Sequence, residues 1–230
     1  MRAMILAAGR GERMRPLTDT CPKPLLSAGG APLIVHHLRR LAAAGIDQIV
    51  INHAHLGEMI ETALGDGSAF GLHIRYSPEA TALETAGGIR QALPRLGDAP
   101  FLVVNGDVFC DIDFGALIHR ADALKADRAH LVLVPNPPHH PAGDFHLRGG
   151  RASLSDGERL TFSGIGLYHP DMFASLPSGQ AAPLGPLLRQ AITAGQVSAE
   201  RFDGLWMDIG TPERLAELDA RLRPNAPENA

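Results

Sequence analysis

The chain has 230 residues, 45% of them apolar and 20% charged, an ordinary globular composition that excludes a disordered chain. Its net charge of −4, from 21 basic and 25 acidic residues, argues against a general nucleic-acid coat. No apolar run approaches the roughly 18 residues that a membrane span needs. The apolar stretch before Gly9 is too short for the core of a signal peptide. The two cysteines, Cys21 and Cys110, form no disulfide framework. We therefore expect a cytoplasmic globular protein that binds neither nucleic acid nor membrane.

In the first 135 residues, apolar runs of strand length alternate with amphipathic stretches of helix length. Pro32 opens the first helical stretch and Gly45 closes it, as is usual at the two ends of a helix. The predicted strands cover residues 4–8, 48–52, 72–76, 101–104 and 130–134. The predicted helices cover residues 33–44, 56–64, 86–93 and 114–126, the last of them with Asp113 as its N-cap.

The rhythm changes after Pro135, where a proline-rich loop over 136–143 has neither a helical nor a strand period. Beyond this loop the pattern predicts short strands at 145–147, 152–154, 165–168 and 205–209. It predicts helices at 184–194 and 212–222, the second of them capped by Thr211. Residues 224–230 are predicted to be a frayed polar tail.

The order of these elements predicts an α/β fold. Alternating strands and helices favour a mostly parallel central sheet with helices on both faces, a Rossmann-like three-layer sandwich. In such sheets ligands bind beyond the carboxyl ends of the strands. We see no internal repeat and no linker, so we expect a single domain over 1–230, with one half over 1–135 and an irregular second half over 136–223.

The loop after the first predicted strand carries the strongest functional signal. Gly9 and Gly11 allow backbone N–H groups to approach phosphate oxygens closely. Residues 1–23 contain five basic and two acidic side chains, a local charge of +3 on a chain of −4. Prolines on both sides of Lys23 restrict its backbone. Because arginine forks and a lysine ammonium both suit a polyphosphate, the loop is predicted to bind phosphate.

Two common phosphate-binding patterns do not fit this loop. A dinucleotide-binding turn would have a third glycine where Arg13 stands, and an acidic residue at the end of the second strand, where Asn52 and His53 stand. The G-x-x-x-x-G-K-[ST] pattern of a P-loop is missing as well.

Two aspartates follow predicted strands at places suited to a cation. Asp107 comes after the strand at 101–104, so its carboxylate should lie at the carboxyl edge of the sheet, and Mg²⁺ is commonly held by one or two carboxylates together with substrate oxygens. Asp111 and Asp113 are rival carboxylates that are better explained as a turn and a helix cap. For Asp208, the residues alone leave a metal-binding role and a turn role equally open.

The histidines and Cys110 are better explained without catalysis. The histidine pairs at 53–55 and 139–140 have no third ligand at a spacing suited to zinc, so we interpret them as polar loop residues. No basic pocket is predicted around Cys110, so we interpret it as a buried structural thiol.

Five segments together resemble the sugar-1-phosphate nucleotidyltransferase family. They read LAAGRGERMRPLT at 6–18, PKPL at 22–25, ETAGG at 84–88, NGD at 105–107 and WMDIGTP at 206–212. The first is long and specific, and the set spans nearly the whole chain. The resemblance implies a nucleotidyltransferase-type fold and an enzyme that joins a nucleoside triphosphate to a sugar 1-phosphate, releasing pyrophosphate.

The same resemblance implies a role for each matching position. Arg13 and Lys23 would be catalytic, neutralising charge on the α-phosphate and the leaving pyrophosphate, and Asp107 and Asp208 would hold a catalytic Mg²⁺. The first half of the chain would bind the nucleotide and the second half the sugar. The implied nucleotide-binding residues are Leu6, Ala8, Gly9, Gly11, Arg13, Lys23, Thr85 and Gly88.

The second half departs from many members of the family. No lysine follows residue 126 to make the usual sugar-phosphate contact, and Arg159 is the nearest substitute. The segments NPPHHPAGDF at 136–145 and FSGIG at 162–166 resemble a short subgroup of peptidoglycan recycling, which implies UTP and N-acetylmuramic acid α-1-phosphate as substrates. The sugar-binding residues implied in this way are Asn105, Gly143, Asp144, Arg159 and Gly164.

Three alternatives stay open at this point. A mannose- or glucose-1-phosphate nucleotidyltransferase would use GTP, dTTP or UTP with the same motifs. A metal-dependent glycosyltransferase has a similar sheet and carboxylate but needs no clamp of Arg13 and Lys23 on pyrophosphate. A nucleotide-sugar sensor would bind without turnover. The sequence does not indicate the number of metal ions or the oligomeric state.

Overall fold

The computed structural model describes residues 1–125 and 127–223. Its strands are β1 (Arg2–Leu6), β2 (Ser27–Ala28), β3 (Ala31–Pro32), β4 (Gln48–His53), β5 (His73–Pro78), β6 (Phe101–Asn105), β7 (Val108–Cys110), β8 (Ala129–Val134), β9 (Phe145–Arg148), β10 (Arg151–Ser153), β11 (Glu158–Tyr168), β12 (Val197–Arg201) and β13 (Trp206–Asp208). Its α-helices are α1 (Leu33–Ala43), α2 (Gly57–Leu64), α3 (Glu84–Leu96), α4 (Phe114–Ile118), α5 (Leu184–Thr193) and α6 (Pro212–Leu222). The predicted polar tail and the predicted helix end at Ala126 lie outside these residues.

The main sheet has nine strands in the order β5–β4–β1–β6–β11–β8–β12–β10–β9. Strands β5, β4, β1 and β6 are parallel, and β8 and β12 run in the same direction. Strand β11 lies between β6 and β8 and is antiparallel to both. The sheet is therefore mixed. The antiparallel strand β11 follows β9 and β10 after short connections. Short connections between neighbouring strands produce antiparallel pairs, and β9 is antiparallel to both β10 and β11.

Strand β1 shows how the sheet divides the core. Ala3 and Ile5 belong to the apolar cluster that includes α1, whereas Met4 between them belongs to the cluster that includes α3 and α5. Because successive side chains of a strand point to opposite faces, helices cover both faces of the sheet. The predicted three-layer α/β arrangement is confirmed. Among the described residues, no helix is both long and apolar enough to cross a lipid bilayer.

A third apolar cluster joins distant parts of the chain at one end of the sheet. Met14 comes from the loop after β1, Phe109 from β7, and Ile209 and Leu218 from the segment around α6. These side chains are buried, and they hold the glycine-rich loop against the C-terminal helix. The loop is therefore part of the packed structure.

Four strands of the structure were not predicted from the sequence: β2 and β3, which pair with each other, and β7 and β12. Val197 and Ala199 of β12 are buried, but they alternate with polar residues and so make no apolar run. Strand β7 has three residues directly after the turn at 105–107, which is too short for a periodicity to show. Strand β11 also begins well before its predicted start at 165, because its first residues are polar and pair with β9.

Helix boundaries differ from the prediction at two places. Helix α3 continues past Pro94 to Leu96, although a proline inside a helix cannot donate to the carbonyl four residues back. The predicted helix at 114–126 is α4 followed by a 3₁₀ helix, His119–Lys125. The other predicted helices end within two residues of their expected positions.

Candidate active site

The site lies at the carboxyl ends of β1, β4 and β6. Leu6, the last residue of β1, pairs with Asn52 on one side and Asn105 on the other. The chain then leaves the sheet, and the Ala7 N–H donates to the side-chain oxygen of Asn52 at 3.0 Å. The Gly106 N–H donates to the Leu6 carbonyl at 2.9 Å, and a Cβ on Gly106 would lie 2.7 Å from that oxygen. Glycine is therefore required at this close approach.

The glycine-rich loop folds back on Lys23. Gly11 has φ +69°, a left-handed conformation that favours glycine. A Cβ there would lie 3.0 Å from a methyl carbon of Thr18 and 3.3 Å from the Cβ of Lys23. The Thr18 hydroxyl donates to the Gly11 carbonyl at 2.9 Å. These contacts place the start of the loop against the lysine that the sequence analysis singled out.

Lys23 and Asp107 form an ion pair across the site. The lysine Nζ lies 2.7 Å from Oδ2 of Asp107, and the exposed fraction is 8% for the lysine side chain and 40% for the aspartate. A buried ammonium without a partner would be costly, so the carboxylate stabilises the lysine in this position. The structure therefore joins two predicted site residues directly.

Asp208 reaches the same place through the β7–β13 ladder. It pairs with Val108, and the N–H of Ile209 donates to the Asp107 carbonyl at 2.9 Å, so the two aspartates lie on adjacent strand ends. Oδ2 of Asp208 lies 2.7 Å from Nη1 of Arg214. Nε2 of His139 lies 3.4 Å from the same oxygen. Neither His139 nor Arg214 was predicted as a site residue.

Two guanidinium groups flank Gly210 beside Asp208. A Cβ on Gly210 would lie 2.7 Å from Nη2 of Arg214 and 2.9 Å from Nη2 of Arg13. Arg214 is paired with Asp208, whereas Arg13 makes no ion pair with any described residue and lines the cavity next to it. An unpaired guanidinium next to a paired one leaves this wall of the cavity positive, which suits an anionic ligand.

Three adjoining compartments make up the cavity, and Asn105 lines all of them. The first compartment includes Leu6, Ala7, Ala8, Gly9, Lys23, Asn52, Glu79, Thr85 and Asp107. The second compartment includes Arg13, Asp107, His139, Ser163, Gly164 and Asp208. The third compartment includes Glu84, Thr85, Asp144, Phe145, Phe162, Gly185 and Arg189.

A buried carboxylate forms one wall of the first compartment. Glu79 is 6% exposed. Its Oε1 accepts from the Asn52 amide at 2.7 Å, and its Oε2 accepts from the Leu83 N–H at 2.8 Å. A Cβ on Gly88 of α3 would lie 2.6 Å from Oε1, so α3 packs directly against the hydrogen-bonded Asn52 and Glu79 side chains. Gly88, a predicted nucleotide contact, therefore supports the wall without lining it.

Thr85 lies where the first and third compartments meet. It follows Glu84, a non-glycine residue with φ +56° at the start of α3. Residues other than glycine rarely adopt this conformation, which costs about 1–3 kcal/mol and is concentrated at functional sites. The strained turn projects Thr85 toward the cavity.

The predicted sugar-binding residues divide into two groups. Asn105, Asp144 and Gly164 line the second or third compartment. Gly164 has φ +78°, and a Cβ there would lie 2.5 Å from the Asn105 amide nitrogen. Within the described chain, Gly143 and Arg159 lie outside the linings of all three compartments, and Arg159 is exposed with Nη2 3.5 Å from the Gly143 carbonyl.

Two buried groups near the site have shifted pKa values. Burial lowers the pKa of His37 to about 4, and its Nε2 lies 2.7 Å from the Val108 carbonyl. Burial raises the pKa of the Cys110 thiol to about 11, so the thiol stays protonated at neutral pH. Cys110 is a free cysteine and is buried, as predicted.

Comparison with known proteins assigns the chain to a family. The family described as Nucleotidyl transferase matches residues 2–145, more than half of the chain. The chain belongs to the nucleotidyl transferase family. The N-acetylmuramate alpha-1-phosphate uridylyltransferase of Neisseria meningitidis serogroup B is 58% identical over 225 residues, which cover 96% of this nucleotidyl transferase and 97% of the relative. A protein of the same name from Caulobacter vibrioides is 34% identical and covers 96% of both chains.

Solved structures agree with the fold of this nucleotidyl transferase. A candidate glucose-1-phosphate thymidylyltransferase from Bacillus anthracis, in complex with sucrose, superposes with a TM-score of 0.85 at 23% identity, covering 100% of this chain and 98% of that chain. HddC from Yersinia pseudotuberculosis, in complex with GMP-PN, superposes with a TM-score of 0.80 at 19% identity, covering 96% and 99%. The predicted family and nucleotidyltransferase-type fold are confirmed.

Proposed function

We propose that this enzyme joins UTP to N-acetylmuramic acid α-1-phosphate, giving the UDP-sugar and pyrophosphate. The observation that carries the proposal is the 58% identity, over nearly the whole of both chains, to a relative named for this activity. The reaction would serve peptidoglycan recycling in the cytoplasm, with small-molecule substrates and no nucleic acid. The whole of residues 1–230 would act as one catalytic domain.

The three compartments divide the substrates between them. In this proposal the base and ribose occupy the first compartment, against the backbone of Leu6, Ala8 and Gly9 and beside Thr85. The phosphates occupy the second compartment, and the sugar extends from Asn105 into the third. Gly11 would act by letting the loop pack against Lys23, and Gly88 by letting α3 pack against Glu79 in the wall of the first compartment. Gly143 would act by holding the turn before Asp144.

The chemical problem is the repulsion between two anions. An oxygen of the sugar phosphate attacks the α-phosphorus of UTP in line, and the bond from that phosphorus to the leaving pyrophosphate breaks. The attacking oxygen is already ionised at neutral pH, so no general base is needed. Arg13, Lys23 and the N–H groups of the loop would offset the repulsion and stabilise the charge that develops on the pyrophosphate.

Asp107 and Asp208 fit a Mg²⁺ ion. Both donate carboxylate oxygens, the ligands that Mg²⁺ prefers, and each makes its ion pair through Oδ2 and keeps Oδ1 for an ion. Among the described residues, no group of three or more histidine, cysteine, aspartate or glutamate side chains is arranged to hold a metal alone. Substrate phosphates would therefore complete the coordination. When bound, the ion would screen the negative charge of the phosphates.

Pyrophosphate release tests the proposal. The purified enzyme is incubated with Mg²⁺ and UTP, GTP or dTTP, each with N-acetylmuramic acid, N-acetylglucosamine, glucose or mannose 1-phosphate. We expect UTP with N-acetylmuramic acid α-1-phosphate to give the highest kcat/KM, and a chelator to abolish release until Mg²⁺ is restored. A preference for mannose or glucose 1-phosphate would support the alternative enzyme. Absence of pyrophosphate release with every pair would exclude the reaction class.

A further inference from the structure

The third compartment has a cation that neither the motifs nor the proposed chemistry uses. Among the described residues that line this compartment, Arg189 is the only positively charged one. It comes four positions after Gly185 in α5, so the two residues share one face of the helix. The face of α5 that carries Gly185 and Arg189 is therefore turned toward the compartment.

The guanidinium of Arg189 lies over an aromatic ring. Its Cζ is 5.6 Å from the centre of the Phe145 ring, within the range of a cation–π contact. Phe145 is 3% exposed, so the ring is a fixed platform in the wall. The guanidinium makes no ion pair with a described residue, and its forked N–H donors are free for a ligand.

Two acidic residues, Glu84 and Asp144, also line the compartment, and within the described part of the chain neither forms an ion pair with Arg189. Oδ2 of Asp144 accepts from the Phe162 N–H at 2.8 Å, and Oδ1 lies 3.1 Å from Nε2 of His140. Asp144 is therefore engaged by groups other than Arg189. The first turn of α5, which contains Leu184 and Gly185, also borders the compartment and adds the positive potential of a helix start.

We propose that Arg189 binds the lactyl carboxylate of the sugar substrate and so selects an acidic sugar over a neutral one. This inference rests on the proposed function. N-acetylmuramic acid differs from N-acetylglucosamine by a lactyl ether, which carries a second anion remote from the phosphate. A guanidinium fork matches a carboxylate with two parallel hydrogen bonds, which an amide or a lysine does not reproduce.

A purely structural role would have a different signature. If Arg189 only packed α5 against Phe145, its loss would affect every sugar equally. If Arg189 binds the carboxylate, its loss would matter only for a substrate that has one. Because the lactyl group is remote from the reacting phosphorus, the effect should be on KM more than on kcat.

The test is a cycle of two enzymes and two substrates. Wild type and Arg189→Gln are assayed for pyrophosphate release with N-acetylmuramic acid α-1-phosphate and with its methyl ester, in which the carboxylate is neutral. For wild type we expect kcat/KM to be about 10-fold to 100-fold lower with the ester, as for loss of a hydrogen bond to a charged group. For Arg189→Gln we expect nearly equal values with both substrates.

Two further variants complete the test. Arg221→Gln, an exposed helical arginine paired with Glu217, is the matched control and should behave as wild type. Arg189→Lys keeps the charge, should show an intermediate preference, and replaces the glutamine variant if that one does not fold. An equal acid-to-ester ratio in wild type and Arg189→Gln would overturn the inference and leave the proposed function intact. Failure of wild type to use the acid would overturn both.

Discussion

The ion pair of Lys23 and Asp107 joins residues that are 84 positions apart in the chain. Each of them is found on its own by a local pattern, the proline-flanked lysine and the aspartate after a buried strand. Their contact means that each holds the other in place before any substrate arrives. The pair therefore prepares the charges that the proposed transition state needs.

Removal of either member of the Lys23–Asp107 pair should strongly lower the turnover rate. We expect Lys23→Met and Asp107→Asn each to lower kcat by at least about 10²-fold, the usual effect of losing one preorganised stabilising group. Pyrophosphate release at saturating substrates measures this. Arg15→Ala is the matched control, because Arg15 pairs with Asp19 on the exposed side of the same loop. Near-normal turnover by both site variants would refute the roles assigned to them.

At the scale of elements, glycines let α3 approach its neighbours closely. A Cβ on Gly87 would lie 2.4 Å from the Gln180 carbonyl, and one on Gly88 would lie 2.6 Å from Glu79. The helix thereby brings Thr85 to the cavity and closes the buried Asn52–Glu79 wall. The ETAGG motif thus encodes a packing surface, and Thr85 within it is the proposed nucleotide contact.

Gly88→Ala should destabilise the protein and weaken UTP binding. Overpacking of this kind costs about 1–3 kcal/mol, and displacement of Glu79 would move the wall of the first compartment. Chemical denaturation measures the free energy of unfolding, and initial rates measure the KM for UTP. Gly185→Ala is the control in another helix, where a Cβ meets no atom within 4 Å, and it should gain up to about 1 kcal/mol. Equal stability of the two variants would contradict this account of α3.

At the scale of the whole molecule, a buried histidine makes stability depend on pH. His37 of α1 is 1% exposed and contacts the Val108 carbonyl, so it ties the helix layer to the β7–β13 pair. Burial lowers its pKa from 6.5 to about 4. Below pH 6.5 the unfolded chain therefore binds a proton that the folded chain does not, and stability falls as the pH decreases toward 4.

We expect the free energy of unfolding to fall by about 2 kcal/mol between about pH 7.5 and about pH 5 through His37 alone. Urea denaturation at the two pH values measures the change. In His37→Gln, where the amide can still donate to the carbonyl but does not titrate, the loss should be smaller by that amount. His73→Gln on the exposed face of β5 should lose as much stability as wild type. An identical pH dependence in wild type and His37→Gln would disprove this origin.

The sequence predicted the parts of the site that a long local motif contains. The glycine-rich loop, Lys23 and Asp107 could be found because their residue types and spacing are set by local chain geometry. Glu79 and Arg214 could not, because each acts through a distant partner. Glu79 bonds Asn52 from 27 positions away, and Arg214 meets His139 from 75. Polar residues that end buried strands, as Asn52 and Asn105 do, were the available signal.

The same distinction explains the fold. Strands with continuous apolar runs, such as β6 and β8, were predicted nearly to the residue. Strand β12 was missed because its burial depends on the neighbours β8 and β10, which are distant in sequence. Reversal of β11 is likewise a property of the chain path and leaves no mark on its residue pattern.

The pairing of β9 with both β10 and β11 closes strands β11, β8, β12, β10 and β9 into a ring. An open sheet exposes unpaired backbone groups along both of its outer strands, and these are places where a second chain can attach by strand addition. Here the ring removes one such border, and β5 forms the other. His73 and Arg75 are exposed on β5, and charged or polar side chains at a border oppose aggregation. Addition of a strand to the nine-stranded sheet would therefore have to start at β5.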